Sequence, residues 1–427
     1  MSKRQMMKTA FAVGIGGLLL LPALAYTQVT GGVLNPRLRQ SYLSLSAAVA
    51  AAAPGDTLLV SGTLNGANAI LDSVALPAGL KIVAAQGLRG TLQVTSTQCG
   101  ATTLGVILDV SARQGSLLIQ GLKLIVPNGC IGIGSLANGN PLTVRNVLIQ
   151  RATATANISG MSLWQEFGGP FLIEGNLIPS TGNTNSNVGI WIDGDATNPI
   201  DATVRRNRIG STGAPTGLGI GIIEVPSGSS VTVERNVVDG GNVIWSSGIS
   251  VVNSNGVTIQ QNTVRGFVGP TGPQNAFGIL VTESSNIQVL RNVVANNDIG
   301  VVVCDASACG GSNGSGTAGT VAINFNNLTS TVTGAIGLFF FPDPGAPAPL
   351  DARNNWWGAT SGPSDDDGDT TDCPEFVAPG CTTTPTAEGG GLPVGVNPPI
   401  ATDDCDIAAG TVTTCPYRTS PVSPAGA

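Results

Sequence analysis

Residues 231–239 read VTVERNVVD, residues 257–265 read VTIQQNTVR, and residues 287–295 read IQVLRNVVA. In each, alternating apolar positions run up to an asparagine and resume behind it. The pattern extends in both directions, through TVRNVLI, LIEGNLI and VRRNRIG before these segments and INFNNLT and ARNNWWG after them. The asparagines are Asn146, Asn176, Asn207, Asn236, Asn262, Asn292, Asn326 and Asn355, separated by 30, 31, 29, 26, 30, 34 and 29 residues. A period of this size marks stacked structural units. A second column keeps step with the first. Gly160, Gly189, Gly219, Gly248, Gly278 and Gly300 each open a short apolar alternation, such as GIWID or GISVV. Each unit therefore holds two or three short β-rich runs divided by Gly, Asn, Ser and Thr turns, with no helical stretch between them.

The period also decides how the strands connect. Hairpins pair sequence neighbours and leave identical motifs out of line. A coil that returns every thirty residues sets each asparagine above the last, roughly 4.8 Å away. Stacked side-chain amides can then bond one another, and asparagine tolerates the left-handed backbone of a tight bend. The expected fold is all-β: a right-handed parallel β-helix of about nine to eleven coils. Fifty-nine glycines, 11% charged residues and a mean hydropathy of +0.25 suit short buried strands and tight turns, not disorder. A solenoid has one continuous core, so 427 residues need not divide into several domains.

The ends differ from the middle. Residues 1–25 read as a signal peptide: Lys3, Arg4 and Lys8, an apolar run, then Ala23-Leu24-Ala25 as a small-x-small cleavage site. Cleavage takes the formal charge from −7 to −10 and leaves no expected membrane span. That balance disfavours nucleic acid and anionic membranes as partners. Eight cysteines fit an oxidising compartment, so a secreted, periplasmic or cell-surface location is expected. Spacing suggests the pairs Cys304–Cys309, Cys373–Cys381 and Cys405–Cys415, and Cys99 and Cys130 stand one coil apart. Without histidine or CxxC, disulfides are expected in preference to a metal site. Residues 26–56 are assigned to an N-terminal cap with a short helix over Ser41–Ala53, stopped by Pro54-Gly55-Asp56. The β-helix is assigned to residues 57–363, and an acidic, then Pro/Thr/Gly-rich, disulfide-containing tail to residues 364–427. Trp356 and Trp357, just behind the last asparagine, are expected to plug the final coil.

These residues resemble the right-handed parallel β-helix repeat proteins of the pectin-lyase-like superfamily. AAVAAAAPGDTLLVSGTL (residues 47–64) is similar to the cap and first strand of that family, and NNWWGATSGP (residues 354–363) to a terminal coil of many bacterial surface and periplasmic members. The resemblance spans about residues 38–380. It implies the fold and leaves the activity open, since the scaffold carries lyases, hydrolases, epimerases, adhesins and binding proteins. Polygalacturonase-like enzymes use a histidine motif, and this chain has no histidine. Trp191-Ile192-Asp193 is similar to part of the W-I-D-H motif of pectate-lyase-like enzymes, but Gly194 replaces the histidine. Copper-delivering relatives need Met, His and Cys ligands, and Met1, Met6 and Met7 lie in the signal region.

Five residues beyond each glycine come Gln165, Gly194, Glu224, Asn253, Glu283 and Asp305, a polar and mostly acidic stripe at one strand end. Glu224, Glu283 and Asp305 are the candidate catalytic residues. Two rungs separate the first pair by roughly 9.6 Å, near the spacing of inverting glycosidases. Trp191, Asp193 and Asn253 are candidate ligand-binding residues, the indole as a sugar platform. The bland reading is that polar residues belong at strand ends. No cofactor and no metal site are expected. Asp365-Asp366-Asp367-Gly368-Asp369 has the acid density for Ca²⁺ but lacks the rest of an EF-hand-like loop. Arg145, Arg206, Arg235, Arg291 and Arg353 precede the asparagines and are expected to snorkel along the outer face; as a row they could hold anionic polysaccharide, with Glu234 and other nearby acids blunting it.

Two function classes follow. The first is a non-catalytic exported β-helix in adhesion, envelope structure or glycan recognition, with a polysaccharide or cell-envelope component as partner. The second is a polysaccharide lyase or inverting glycosidase working through the acidic stripe.

Overall fold

Each turn of the chain delivers three strands. In one turn these are Ser230–Glu234, Val237–Asp239 and Ser246–Val252. The first strand leads into the asparagine, the second leaves it, and the third carries the glycine; their sheets are called here the entry, exit and glycine sheets. The computed structural model describes residues 31–359 except 86–89, 183, 185, 186, 212, 213, 215, 242–245, 271–275, 305–320 and 342–349. It also describes residues 392, 394–396, 412, 413, 418, 420 and 421. Among the described residues the entry sheet holds 14 strands and the exit and glycine sheets 10 each, every neighbour in the last two coming from the adjoining turn. Within the solenoid the pairing is parallel and in register: Val233 lies beside Val204 and Ile259, and Ile249 beside Ile220 and Ile279. Inward positions are therefore columns of aliphatic side chains, which form one core from Val33 to Val394.

Both sequence columns have a physical cause here. The ladder asparagines are buried, and each repeats one bonding scheme. Asn207 donates from its backbone N and its Nδ2 to Asn236 Oδ1, at 2.9 and 3.0 Å, and from Nδ2 to Ile173 O at 2.9 Å. The chain of such bonds runs from Asn176 to Asn355. Two expectations need correction. Asn146 is not on the ladder: Arg145 pairs with Glu174, so Val147 holds the position beside Asn176 and donates its N–H to Asn176 Oδ1. The left-handed residue of the bend is also not the ladder asparagine but the one before it. Arg206, Arg235, Gln261, Arg291, Phe325 and Asn354 all have φ between 54° and 61°, and Gly175 has 65°. The amide is spent on the ladder, so the preceding residue makes the turn.

The glycine column needs room and not a special φ. A Cβ at Gly160, Gly189, Gly219, Gly248, Gly278 or Gly300 would fall inside contact distance of the next glycine's carbonyl oxygen. Gly132 and Gly337 extend the column at its ends.

The N-terminal helix is shorter than expected, Leu45–Ala50, with Ser44 capping it by accepting from Ala47 N. Gln40–Tyr42 is a strand, paired antiparallel with Gly32–Asn35, which pairs antiparallel with Thr57–Ser61. This hairpin covers the open edge of the entry sheet. Asp56 secures it, accepting from Asn35 Nδ2, Ala53 N and the Arg37 guanidinium. The Arg37 bond, ahead of those from Ala53 and Asn35, outweighs burial and holds the Asp56 carboxyl well below the usual carboxylate range. At the far end Trp357 is fully buried against Gly337, whereas Trp356 is half-buried. Val394–Val396 and Val412–Thr413 then add strands to the glycine and entry sheets, so part of the tail continues the solenoid. Cys99 and Cys130 form the inter-coil disulfide. Cys304 is disulfide-bonded, and its expected partner Cys309 lies outside the described residues, as do Cys373, Cys381, Cys405, Cys415 and residues 1–25.

Candidate functional site

Strand Val188–Gly194 turns Ile190 and Ile192 into the core and leaves Trp191 and Asp193 on the outer face, as strand alternation requires. Trp191 sits between Ser162 and Gly221 on the neighbouring rungs. Its ring lies against Gly221: a Cβ there would stand 2.8 Å from Cε3. Asp193 lies beside Ile223, one residue short of the turn that holds Glu224. Burial first, then the Glu224 carboxylate, pushes the Asp193 carboxyl up to about 6. The nearby Trp191 indole N–H pulls the other way, although Trp191 Nε1 and Asp193 Oδ1 are both buried without a geometrically satisfactory hydrogen bond.

The stripe runs along the turns that leave the glycine sheet. Gln165, Glu224, Asn253 and Glu283 have φ of 51°, 53°, 46° and 49°. Left-handed backbone is uncommon outside glycine. Glu224 N donates to Val252 O, Asn253 N to Thr282 O and Glu283 N to Cys304 O, at 3.0–3.1 Å. One residue further on is a serine ladder: Val225 N donates to Ser254 Oγ and Ser254 N to Ser284 Oγ, at 3.2 and 3.1 Å. Glu224 and Asn253 are exposed; Glu283 is half-buried, and its Oε1 has no hydrogen-bond partner. Asp305 lies outside the described residues, as does the 365–369 cluster. The rungs thus bring Glu224, Asn253 and Glu283 into one row with Asp193 beside its first member.

Gln165 departs from that row. A bulge between Leu163 and Glu166 shifts the register, so that Glu166 pairs with Gly194. Glu166 turns inward and meets Arg113 at 2.6 Å, both side chains fully buried. Arg113 also donates to Val110 O, Ser135 Oγ, Asn138 O and Asn140 O, and its guanidinium lies 5.4 Å from the Phe171 ring centroid. Burial pushes the Glu166 carboxyl up against the pull of Arg113, and burial lowers Arg113.

The arginine row also divides. Arg206, Arg235 and Arg291 occupy the left-handed column, whereas Arg145 occupies the preceding strand column beside Gln120 and Glu174. Arg353, on the exposed turn before Asn354, is bound to Asp351 at 2.8 Å. Glu174 holds Arg205 and Arg206 at 2.9 and 3.4 Å, and Arg235 bonds Gln261 Oε1. Most of the expected cationic row is therefore internally satisfied.

Among the described residues no three His, Cys, Asp or Glu come together to hold a metal ion, and no helix is long and apolar enough to cross a membrane. The family model described as a right handed beta helix region matches residues 173–339, the stretch that contains most of the ladder. The chain folds as a right-handed parallel β-helix. Among solved structures, this β-helix protein is similar to the A-module of the mannuronan C-5 epimerase AlgE4 of Azotobacter vinelandii, with 12% identity, a TM-score of 0.38, and 73% of this chain and 88% of that chain covered. It is also similar to the periplasmic alginate epimerase AlgG (12% identity, TM-score 0.31, 71% and 81% covered). Tailspike protein 3 of bacteriophage CBA120 is similar at 11% identity and a TM-score of 0.28, over 68% of this chain and 53% of that chain. No curated protein matches the sequence.

Sequence reasoning missed the Arg113–Glu166 pair and the serine ladder. The serines had a signal: Asn253-Ser254-Asn255 and Glu283-Ser284-Ser285 repeat at the interval of the glycines. Arg113 and Glu166 had none, because a bulge aligns them.

Proposed function

We propose that this protein is exported and recognises a glycan along the edge of the glycine sheet, without turning it over. The observation that carries the reading is the company kept by Asp193 and Glu224. Half-buried Trp164 and Trp191 and exposed Leu136 and Phe167 flank Gln165, Asp193 and Glu224 on one outer edge. Apolar ring faces beside fixed hydrogen-bonding groups suit sugars, which present C–H faces and hydroxyl rims. Strand pairing holds them on adjoining rungs, Leu136 beside Trp164 and Trp191 beside Ser162. The amino-terminal sequence with its basic start and small-x-small site, together with the Cys99–Cys130 disulfide, supports export.

Calorimetric titration of the mature protein with neutral and acidic polysaccharides tests this. The reading expects saturable binding to at least one, weakened about tenfold or more by Trp191→Ala with the fold intact. Equal affinity in that variant would remove the site from this edge.

One observation favours catalysis by the same residues. Asp193, half-buried beside the exposed Glu224 and pushed up to about 6, has the raised carboxyl that a general acid uses.

A further inference from the structure

On the other side of each turn, where the exit strands end, a cavity of about 360 Å³ is lined by Gln150, Arg151, Thr153, Pro179, Ser180 and Ser211. Pairing of Leu148 with Leu177 and of Ile178 with Ile209 places Arg151, Ser180 and Ser211 in one column on successive rungs. The column is thus spaced by the interstrand distance of about 4.8 Å. Arg151 is the arginine that lines this cavity. It is half-buried and has no ion-pair partner among the described residues; its one hydrogen bond is from Nη1 to Ala156 O, at 3.2 Å. Arg205 and Arg206 on the entry side and Arg208 and Arg265 on the exit strands each have a carboxylate, whereas Arg145 and Arg235 bond neutral glutamine oxygens. A partly desolvated guanidinium needs a counter-charge, and its remaining N–H groups offer a fork to two oxygens. Ser211 Oγ, two rungs along, donates its one proton to Pro179 O, so Arg151 supplies the N–H donors of the site. The volume falls at the low end of small-molecule pockets, the size of one sugar ring.

We propose that this cavity binds the oxyanion group of a single acidic sugar unit, a carboxylate or a sulfate ester, with Arg151 as the charge partner. The site lies across the turn from Trp191 and Glu224 and does not depend on them.

The test is calorimetric titration of the full mature protein with glucuronate, glucose 6-sulfate and glucose. Saturable binding of either anionic sugar, with none of glucose, is expected, and the two arms identify the oxyanion. Arg151→Gln should raise the Kd about tenfold or more, Arg151→Lys less, and Ser211→Asp should abolish binding by answering the charge internally, with circular dichroism unchanged in all three. Equal binding of glucose, absence of saturable binding to both anionic sugars, or binding unchanged in Arg151→Gln and Ser211→Asp would overturn the proposal. Trp191→Ala should leave this affinity unaltered, which separates its failure from that of the glycan edge.

Discussion

Asn236 accepts from the backbone N and Nδ2 of Asn207 and donates to Val204 O and Asn262 Oδ1. Alanine in its place would strand several buried polar groups, each worth about 1–3 kcal/mol. Asn236→Ala should therefore lower stability by roughly 3–5 kcal/mol, read as a fall in the urea midpoint. Asn253→Ala, an asparagine replaced on an exposed turn, should cost no more than about 1 kcal/mol. Equal losses would mean that the ladder bonds are not what fixes the turn. Asp193 makes a second prediction at this scale. Its folded carboxyl stands at about 6 against an ordinary 3.8. Between those values the folded chain holds a proton that the unfolded chain has released, so stability falls as pH rises through the window. Asp193→Asn lacks that loss. Its urea midpoint should gain on the parent's from about pH 4 to about pH 6 and stay ahead above it; parallel pH curves would contradict this.

At the scale of elements, the bulge at Leu163–Glu166 and the loops around Arg113 and Asn138 are joined by one buried ion pair. Removing one partner leaves the other charge buried and unanswered, at about 3–5 kcal/mol, whereas exchanging both for apolar residues of similar size is often neutral. Arg113→Met and Glu166→Leu should each destabilise strongly, and the double variant should recover most of the loss in thermal unfolding. Additive losses would show that the other Arg113 bonds, to Val110, Ser135, Asn138 and Asn140, carry the stability. The same bulge explains why the stripe read from sequence breaks at Gln165: spacing counts residues, and an extra residue moves the register without leaving a mark. Val147 teaches a similar lesson. An asparagine one place earlier keeps a period near thirty, and only strand pairing shows that Asn146 occupies the left-handed place.

Over the whole molecule, the fold was legible because a solenoid repeats its constraints. The ladder amides and the close backbone approach at the glycines recur each turn and leave a column in the sequence. The amino-terminal coils were less legible: their ladder positions hold Leu122 and Val147, buried apolar residues that look like any others. The candidate site was partly legible. Glu224, Asn253 and Glu283 fall in one row, as their spacing from the glycines requires. What spacing could not show is that this row follows left-handed turns, or that burial and the Glu224 carboxylate raise the Asp193 carboxyl. Whether this edge binds or cleaves is settled by product formation on a polysaccharide that saturates the protein. Reducing ends and unsaturated-product absorbance would be followed together, for the parent and for Glu224→Gln/Glu283→Gln. Binding without product in either assay is the predicted result; turnover by the parent that the double variant abolishes would contradict it.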